Sequence, residues 1–166
     1  CSTESFTLQG SSNVTVTWKT SGTGIFDNAT ALNAVYTPSL ADILDGQVQL
    51  TITTTATGSC VNISDKMILT IWKQPAAYAG KDASICGNGS YQILDATASD
   101  YASLSWTSSG TPGTLANATS LTPVYSPSPA DIIAGGVTLT LTVDPLNAEC
   151  ATVTDVMFIS LTTVPT

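Results

Sequence analysis

Residues 35–43 read Val-Tyr-Thr-Pro-Ser-Leu-Ala-Asp-Ile, and the same pattern returns at residues 124–132 as Val-Tyr-Ser-Pro-Ser-Pro-Ala-Asp-Ile. In both copies a serine lies three residues before an aspartate, which is the spacing of a helix capping box. Pro129 occupies the first helical position, where proline is favoured, and a glycine follows each stretch as a helix end. The pattern therefore predicts one short helical turn in each copy, over Ser39–Asp45 and Ser128–Ala134.

The duplication extends outward from this stretch over the whole chain. Residues 18–24 read Trp-Lys-Thr-Ser-Gly-Thr-Gly, and residues 106–113 read Trp-Thr-Ser-Ser-Gly-Thr-Pro-Gly. Near the end of each copy, Asp65 and Asp155 occupy equivalent positions. Self-similarity at a fixed period is typical of tandem repeats. The sequence predicts two domains, residues 1–74 and 75–166, and the first strand of repeat 1 is missing or upstream, because nothing there matches residues 79–85.

Period-2 alternation of apolar and polar residues marks the strands of both repeats. Residues 48–52 and 137–143 alternate strictly, and glycine and proline clusters separate the apolar segments. Together, 19 Ser and 28 Thr make up 47 of the 166 residues, and β-branched threonine fits the surface of a sheet. Short strands at this density are typical of a sandwich. We therefore expect an all-β protein made of two tandem Ig-like β-sandwiches.

Composition excludes several functions. The net charge is −8, all four basic residues are lysine, and there is no histidine. A basic patch for nucleic acid is therefore absent, as are His-based catalysis and imidazole metal sites. No apolar run reaches the roughly 20 residues that span a bilayer, and no spacing of residues suggests catalysis. We expect a protein that is not an enzyme, does not bind nucleic acid and does not insert directly into a membrane.

Four cysteines without a CxxC pair favour disulfides and an extracellular or cell-surface location. Four cysteines allow three pairings. The equivalent positions of the cysteines in the two repeats favour Cys1–Cys60 and Cys86–Cys150. A lipid-bearing Cys1 is the alternative use of that residue, and its match to Cys86 argues against it.

The repeat motifs, Trp-x-Thr-Ser-Gly-Thr-Gly, Tyr-Thr-Pro-Ser-x-Ala-Asp-Ile and Ala-Gly-x-Asp-x-x-Ile-Cys, resemble a known class. They are similar to the PKD-like and Ig-like tandem repeats of large secreted cell-surface proteins in Bacteroidetes, including gliding-motility adhesins. The resemblance covers essentially all of the chain. It implies an Ig-like sandwich, export to the cell surface and a stalk or adhesive role. Trp18 and Trp106 are not followed by the Asp-Phe-Gly-Asp-Gly run of PKD domains, so the Ig-like assignment is the safer one.

Three functions from different classes follow from these observations. The first is a structural or adhesive repeat segment of a large extracellular surface protein, a stalk that spaces a binding tip from the cell. The second is a carbohydrate-binding accessory module of a secreted enzyme, and the third is a subunit of a self-assembling surface filament joined by an added strand. The partners expected for the first are neighbouring repeats of the same long chain, with surface glycans or other cells contacted through other domains.

Individual residues have a structural and a functional interpretation. Trp18, Trp106, Tyr36 and Tyr125 are predicted to be core residues, although exposed tryptophans would suit sugar stacking. Asp42 and Asp131 are interpreted as capping-box residues rather than calcium ligands.

No cofactor and no metal are predicted, and the best candidate for a calcium ligand is Asp82, in the connector between the repeats. There is no Asp-x-Asp-x-Asp-Gly loop to support a calcium site. Five asparagines head Asn-x-Ser/Thr sequons, which a eukaryotic host could glycosylate and which otherwise indicate turns: Asn13, Asn28, Asn62, Asn88 and Asn117.

Overall fold

The structure is a computed structural model that describes residues 1–2, 4–56, 58, 60–87, 89–110 and 113–162. The chain divides into two compact units, Cys1–Lys73 (unit 1) and Gln74–Thr166 (unit 2). The division falls one residue before the boundary that the sequence repeat indicates. No helix among the described residues has the length and apolar character needed to cross a membrane.

Unit 1 contains two three-stranded sheets, in the strand orders β1-β4-β3 and β2-β5-β6, with all neighbours antiparallel. Alternating burial along β2 and β5 turns one face of the second sheet towards the core. The bounds are β1 Phe6–Thr7, β2 Val16–Thr20, β3 Ile25–Phe26, β4 Val35–Thr37, β5 Gln47–Thr54 and β6 Ser64–Thr70.

Unit 2 repeats this plan and adds three strands, β7, β8 and β10. Its sheets have the orders β10-β7, β9-β13-β12 and β11-β14-β15-β8, and β8 runs parallel to β15. The bounds are β7 Ala76–Tyr78, β8 Ala83–Cys86, β9 Tyr91–Gln92, β10 Thr97–Ser99, β11 Tyr101–Ser108, β12 Thr114–Ala116, β13 Val124–Ser126, β14 Gly136–Pro145 and β15 Val153–Thr162.

Each unit has one short helix where the sequence predicts it, α1 over Leu40–Asp45 and α2 over Pro129–Ala134. Both helices begin with a complete capping box, in which the serine and the aspartate side chains each accept a hydrogen bond from the other residue's backbone. Both end at a glycine in the left-handed conformation, Gly46 (φ 75°) and Gly135 (φ 78°). The prediction of an all-β sandwich repeat with one helical turn per unit is confirmed.

Each unit buries its own apolar core, with its tryptophan and tyrosine inside it. In unit 1, Trp18 and Tyr36 pack with residues of β5. In unit 2, Trp106 and Tyr125 lie in a larger core that includes the inward face of β15. Both tryptophan indoles donate a hydrogen bond to a backbone carbonyl, at Ala31 and at Ser120, both at 3.0 Å.

The four cysteines correct the predicted pairing. Cys60 and Cys86 are free thiols, so neither Cys1–Cys60 nor Cys86–Cys150 is formed.

The physical reason is that each predicted pair spans the length of a strand. In unit 1 the Ser2 N–H donates to the Trp72 carbonyl, which places Cys1 beyond the end of β6, while Cys60 precedes its start. Seven residues of strand measure about 20 Å, whereas a disulfide requires Cα atoms closer than about 7 Å. In unit 2, Cys86 pairs with Thr162 at the end of β15, and Cys150 precedes the start of that strand.

We expect a maleimide to label Cys60 and Cys86 in the native, non-reduced chain, because both are free and exposed. Peptide mapping by mass spectrometry would locate the two labels. Reduction and denaturation should expose all four thiols and serves as the control. A Cys1–Cys60 or Cys86–Cys150 linked peptide from the native protein would contradict the structure.

Candidate functional site

The most unusual polar feature of each unit is a buried aspartate at the third residue of its helix. Asp42 is 3% exposed and Asp131 is 4% exposed, and they are the buried charged side chains of the described residues. Isolated buried carboxylates are costly unless they are hydrogen-bonded. The contacts of these two groups therefore decide what they do.

In unit 1 the Asp42 carboxylate accepts four hydrogen bonds. Its Oδ1 accepts from the Thr23 N–H (3.0 Å), and its Oδ2 accepts from the Gly24 N–H (2.9 Å), the Ser39 N–H (2.9 Å) and the Tyr36 hydroxyl (2.8 Å). The donors come from the loop after β2, from β4 and from the helix start. A single side chain therefore fastens three separate segments of the unit.

Unit 2 repeats this arrangement around Asp131. Its Oδ2 accepts from the Gly113 N–H (3.0 Å), the Tyr125 hydroxyl (2.7 Å) and the Ser128 N–H (2.7 Å). The Ser128 hydroxyl also donates to it, at 2.7 Å. We call these two arrangements the aspartate knots, defined by Asp42 with Tyr36 and by Asp131 with Tyr125.

Glycine residues let the loop after β2 in unit 1, and the loop after β11 in unit 2, approach the aspartate knots. A Cβ atom added to Gly22 would lie within van der Waals overlap of the Asp42 carboxylate, and one on Gly24 would overlap the Tyr36 hydroxyl. A Cβ atom on Gly113 would overlap the Ser126 carbonyl. In unit 1 the Ser-Gly-Thr-Gly motif of residues 21–24 is therefore the sequence signature of the loop that wraps the carboxylate.

The donors keep both carboxylates ionised. Burial alone raises the pKa of Asp42, but hydrogen bonds from Ser39, Tyr36 and Thr23 outweigh it and lower that pKa to about 2. Burial likewise opposes the hydrogen bonds that lower the pKa of Asp131. Burial, together with the hydrogen bond to Asp131, raises the pKa of Tyr125 to about 12.

This geometry assigns the knots to structure rather than to chemistry. The carboxylate oxygens that accept these hydrogen bonds use their lone pairs for them. They are therefore poor ligands for a cation. A carboxylate with a depressed pKa is also a poor general base near neutral pH. Within the described part of the chain, no group of three or more Cys, Asp or Glu side chains is placed to hold a metal ion.

The loss of stability at acid pH, here called the acid limb, tests whether the ionised Asp42 carboxylate stabilises unit 1. The folded pKa lies below the ordinary value of 3.8, so the stabilisation is complete above that value and is lost as the pH falls towards 2. We expect the melting temperature of unit 1 to fall over this range by calorimetry or circular dichroism. Asp42→Asn should flatten the limb, whereas the exposed Asp45→Asn should not. Identical acid limbs in the two variants would contradict this assignment.

The other predicted residues are dispersed rather than gathered in one site. Asp82 Oδ1 accepts the Phe158 N–H at 2.8 Å, which ties the start of β8 to β15 within unit 2. Asn13, Asn28, Asn62 and Asn117 are exposed; the Asn28 side chain accepts from the Thr30 N–H and hydroxyl, as expected of a turn. Asn88 lies outside the described residues. Glycosylation stays a prediction.

No family model and no curated protein matches the chain. Solved structures of cadherin ectodomains match the chain with TM-scores below 0.5. Mouse cadherin-23 EC22–24 gives a TM-score of 0.47 at 12% identity, covering 90% of this chain and 54% of that chain. Drosophila N-cadherin EC1–3 gives a TM-score of 0.44 at 14% identity, covering 93% of this chain and 57% of that chain.

Protocadherin gamma B2 extracellular cadherin domains 3–6 give a TM-score of 0.44 at 14% identity, covering 88% of this chain and 40% of that chain. The chain thus spans less than two thirds of the length of these structures. The Bacteroidetes repeat class and the PKD-like type stay predictions.

Proposed function

We propose that the chain is a load-bearing structural repeat segment of a large extracellular surface protein, in which tandem sandwiches form a stalk. The observation that carries this proposal is the parallel pairing of β8 with β15 in unit 2, from Ala83 beside Ile159 to Cys86 beside Thr162. These are the strand by which the chain enters the four-stranded sheet and the strand by which it leaves.

A parallel pair of entry and exit strands has a particular response to tension. A pull on the chain before Ala83 and after Thr162 moves the two strands in opposite directions along their own axes. The hydrogen bonds between them are then loaded together in shear, and none can be peeled off singly. Forced unfolding depends on the barrier to this event rather than on equilibrium stability.

Unit 1 has the corresponding contact at its own exit strand. The Ser2 N–H donates to the Trp72 carbonyl at 2.7 Å, as the Gly87 N–H donates to the Thr162 carbonyl at 2.9 Å. The aspartate knots add a second fastening inside each unit. The exit-strand contact and the aspartate knot occur in both units, while the parallel strand pair is formed in unit 2; the two repeated features support a mechanical role that is multiplied along an array.

Surface chemistry supports an extracellular location, and burial speaks against a sugar-binding role for Trp18 and Trp106. Polar groups are mainly hydroxyls, and only 10% of the residues are charged. Trp18 and Trp106 are 6% and 4% exposed, so neither presents a ring face on which a sugar could stack.

Single-molecule force spectroscopy in reducing buffer tests the proposal, with an Ig-type reference domain in the same polyprotein. We expect unit 2 to unfold in one event at a force comparable to that of the reference. Ala83→Pro should lower that force, because the Gly87 contact and strand alternation point the Ala83 N–H at β15 and proline has no N–H to donate.

Ser84→Pro is the matched control, because alternation points the Ser84 N–H away from β15. It carries the same fixed backbone angle one residue away. Its unfolding force should remain that of the unchanged chain. Unfolding of unit 2 well below the reference, or equal effects of the two prolines, would contradict the load-bearing function.

A further inference from the structure

A groove in unit 1 lies where unit 2 is covered by its own residues 76–86. In unit 2, β7 contacts both β14 and β15, and β8 pairs along the outer edge of β15. Among the described residues of unit 1, no strand pairs along the corresponding edge of β6, which ends its sheet. The internal repeat thus supplies both a filled and an open form of the same site.

Burial shows that the core of unit 1 is open on this side. Met157 and Ile159 of β15 are 1% and 0% exposed. Met67 and Leu69, their equivalents on β6, are only partly buried and sit at the margin of the unit 1 core.

The opening is a cleft of about 320 Å³. Trp18, Ile52 and Met67 form its apolar wall, and Asp65 and Lys66 of β6 lie at its side. In unit 2 the equivalent region holds Ala79, which is fully buried.

The polar groups beside the groove in unit 1 also have equivalents in unit 2, where they bind residues 79–82. In unit 2 the Asp155 carboxylate accepts the Ala79 N–H at 2.7 Å. Asp65 is the equivalent residue, and it lines the cleft. The Phe158 N–H of β15 donates to Asp82 at 2.8 Å, and Ile68 is its equivalent on β6.

The backbone of β6 presents the required edge. The Ile71 N–H donates to the Gly46 carbonyl, just as the Leu161 N–H donates to the Gly135 carbonyl. Strand alternation therefore points the N–H groups of Ile68 and Thr70 away from β5, towards the open side.

We propose that this groove is a strand-acceptor site for an inter-repeat connector with the pattern of residues 76–86, supplied by another repeat of the same array. The connector adds a strand parallel to β6, places a small residue in the cleft and an isoleucine against the core, and donates an N–H to Asp65. Each connector then completes the sandwich that follows it. This inference rests on the proposed function, because its occupant comes from a further repeat.

The test is a fusion in which a copy of residues 75–85 is joined directly before Cys1, because Cys1 is the equivalent of Cys86. Amide hydrogen exchange at Ile68 and Thr70 is the readout, with the already covered Phe158 and Ser160 as internal references. We expect exchange at Ile68 and Thr70 to slow about tenfold or more. A mismatched fusion, with Ala79→Lys and Ile85→Lys in the copied segment alone, should leave these rates unchanged.

Thr70→Pro is a second check, because proline is tolerated on an edge strand whose N–H faces solvent. It should leave the unfused chain folded and should abolish the protection of Ile68 in the fusion. Unchanged exchange in the matched fusion, or equal slowing in both fusions, would overturn the proposal. Slowing by the same segment as a free peptide, but not by the fusion, would assign the groove to a strand from another chain and overturn the connector as occupant.

Exchange is measured without load, so its result is independent of the force experiment. Slowed exchange in the matched fusion together with a low unfolding force of unit 2 would keep the acceptor site and reject the load-bearing function. A high unfolding force of unit 2 with unchanged exchange in the matched fusion would keep the load-bearing function and reject the acceptor site.

Discussion

Asp42→Asn and Asp131→Asn are each expected to lower the free energy of unfolding of their own unit by about 3–5 kcal/mol. The oxygen of asparagine is neutral, so it accepts weaker hydrogen bonds than the carboxylate, and in unit 1 the NH₂ group faces the Thr23 N–H when the amide oxygen takes the place of Oδ2. A hydrogen bond to a charged acceptor is worth about 1.5–3 kcal/mol and one to a neutral acceptor about 0.5–1.5 kcal/mol, so weakening three or four of them accounts for the expected loss. Urea unfolding at neutral pH, resolved by unit through hydrogen exchange of peptides, measures the loss.

Asp45→Asn is the matched control, because Asp45 lies on the same helix and is exposed. It should change the free energy of unfolding by no more than about 0.5 kcal/mol. Tyr36→Phe and Tyr125→Phe remove one donor each and should cost less than the aspartate variants. An Asp42→Asn variant as stable as Asp45→Asn would mean that the knot of unit 1 contributes nothing to its fold.

The short helices were predictable from the sequence because their signals are local. A capping box needs two residues three positions apart, and the final glycine lies within the next turn. The knots built on the same aspartates were not predictable in this way. Asp42 meets Thr23 and Gly24 across 18 or more residues. The Ser-Gly-Thr-Gly motif of unit 1 was the available signal, but Gly22 and Gly24 act through contacts with Asp42 and Tyr36 that no local pattern specifies.

The cysteine pairing was wrong for a related reason. Equivalent positions in two repeats showed that Cys1 matches Cys86 and that Cys60 matches Cys150. They did not show at which end of a strand each residue lies. The parallel pairing of β8 with β15 settles this for Cys86, which lies beside Thr162. Parallel partners are distant in sequence and leave no turn signal between them.

The repeat comparison points to one difference between the two units that single-domain patterns could not reveal. Repeat 1 has no match to residues 79–85, and unit 1 has a partly open core at the place that those residues cover in unit 2. Here the second copy acts as a reference structure for the first. The difference in burial between Leu69 and Ile159 follows from the presence or absence of one covering segment, because their own strands pair in the same register.

Trp106→Ala is expected to cost unit 2 about 3–5 kcal/mol, the range for removing a large aromatic side chain from a packed core. Trp106 is 4% exposed, and its indole N–H donates to the Ser120 carbonyl at 3.0 Å. The substitution therefore creates a cavity and leaves a carbonyl without its donor. Trp106→Phe keeps most of the ring volume and loses mainly the hydrogen bond, so it should cost about 1–2 kcal/mol.

Trp18→Ala should cost unit 1 less than Trp106→Ala costs unit 2, although the two residues are equivalent. Trp18 borders the cleft beside Ile52 and Met67, so the space left by its ring opens towards solvent and water can enter it. A closed cavity in unit 2 has no such relief, because Leu141 and Met157 are fully packed there. Urea unfolding of both alanine variants, resolved by unit, measures the difference. Equal losses would show that the core of unit 1 is as closed as that of unit 2, and this would remove the basis for an acceptor groove on β6.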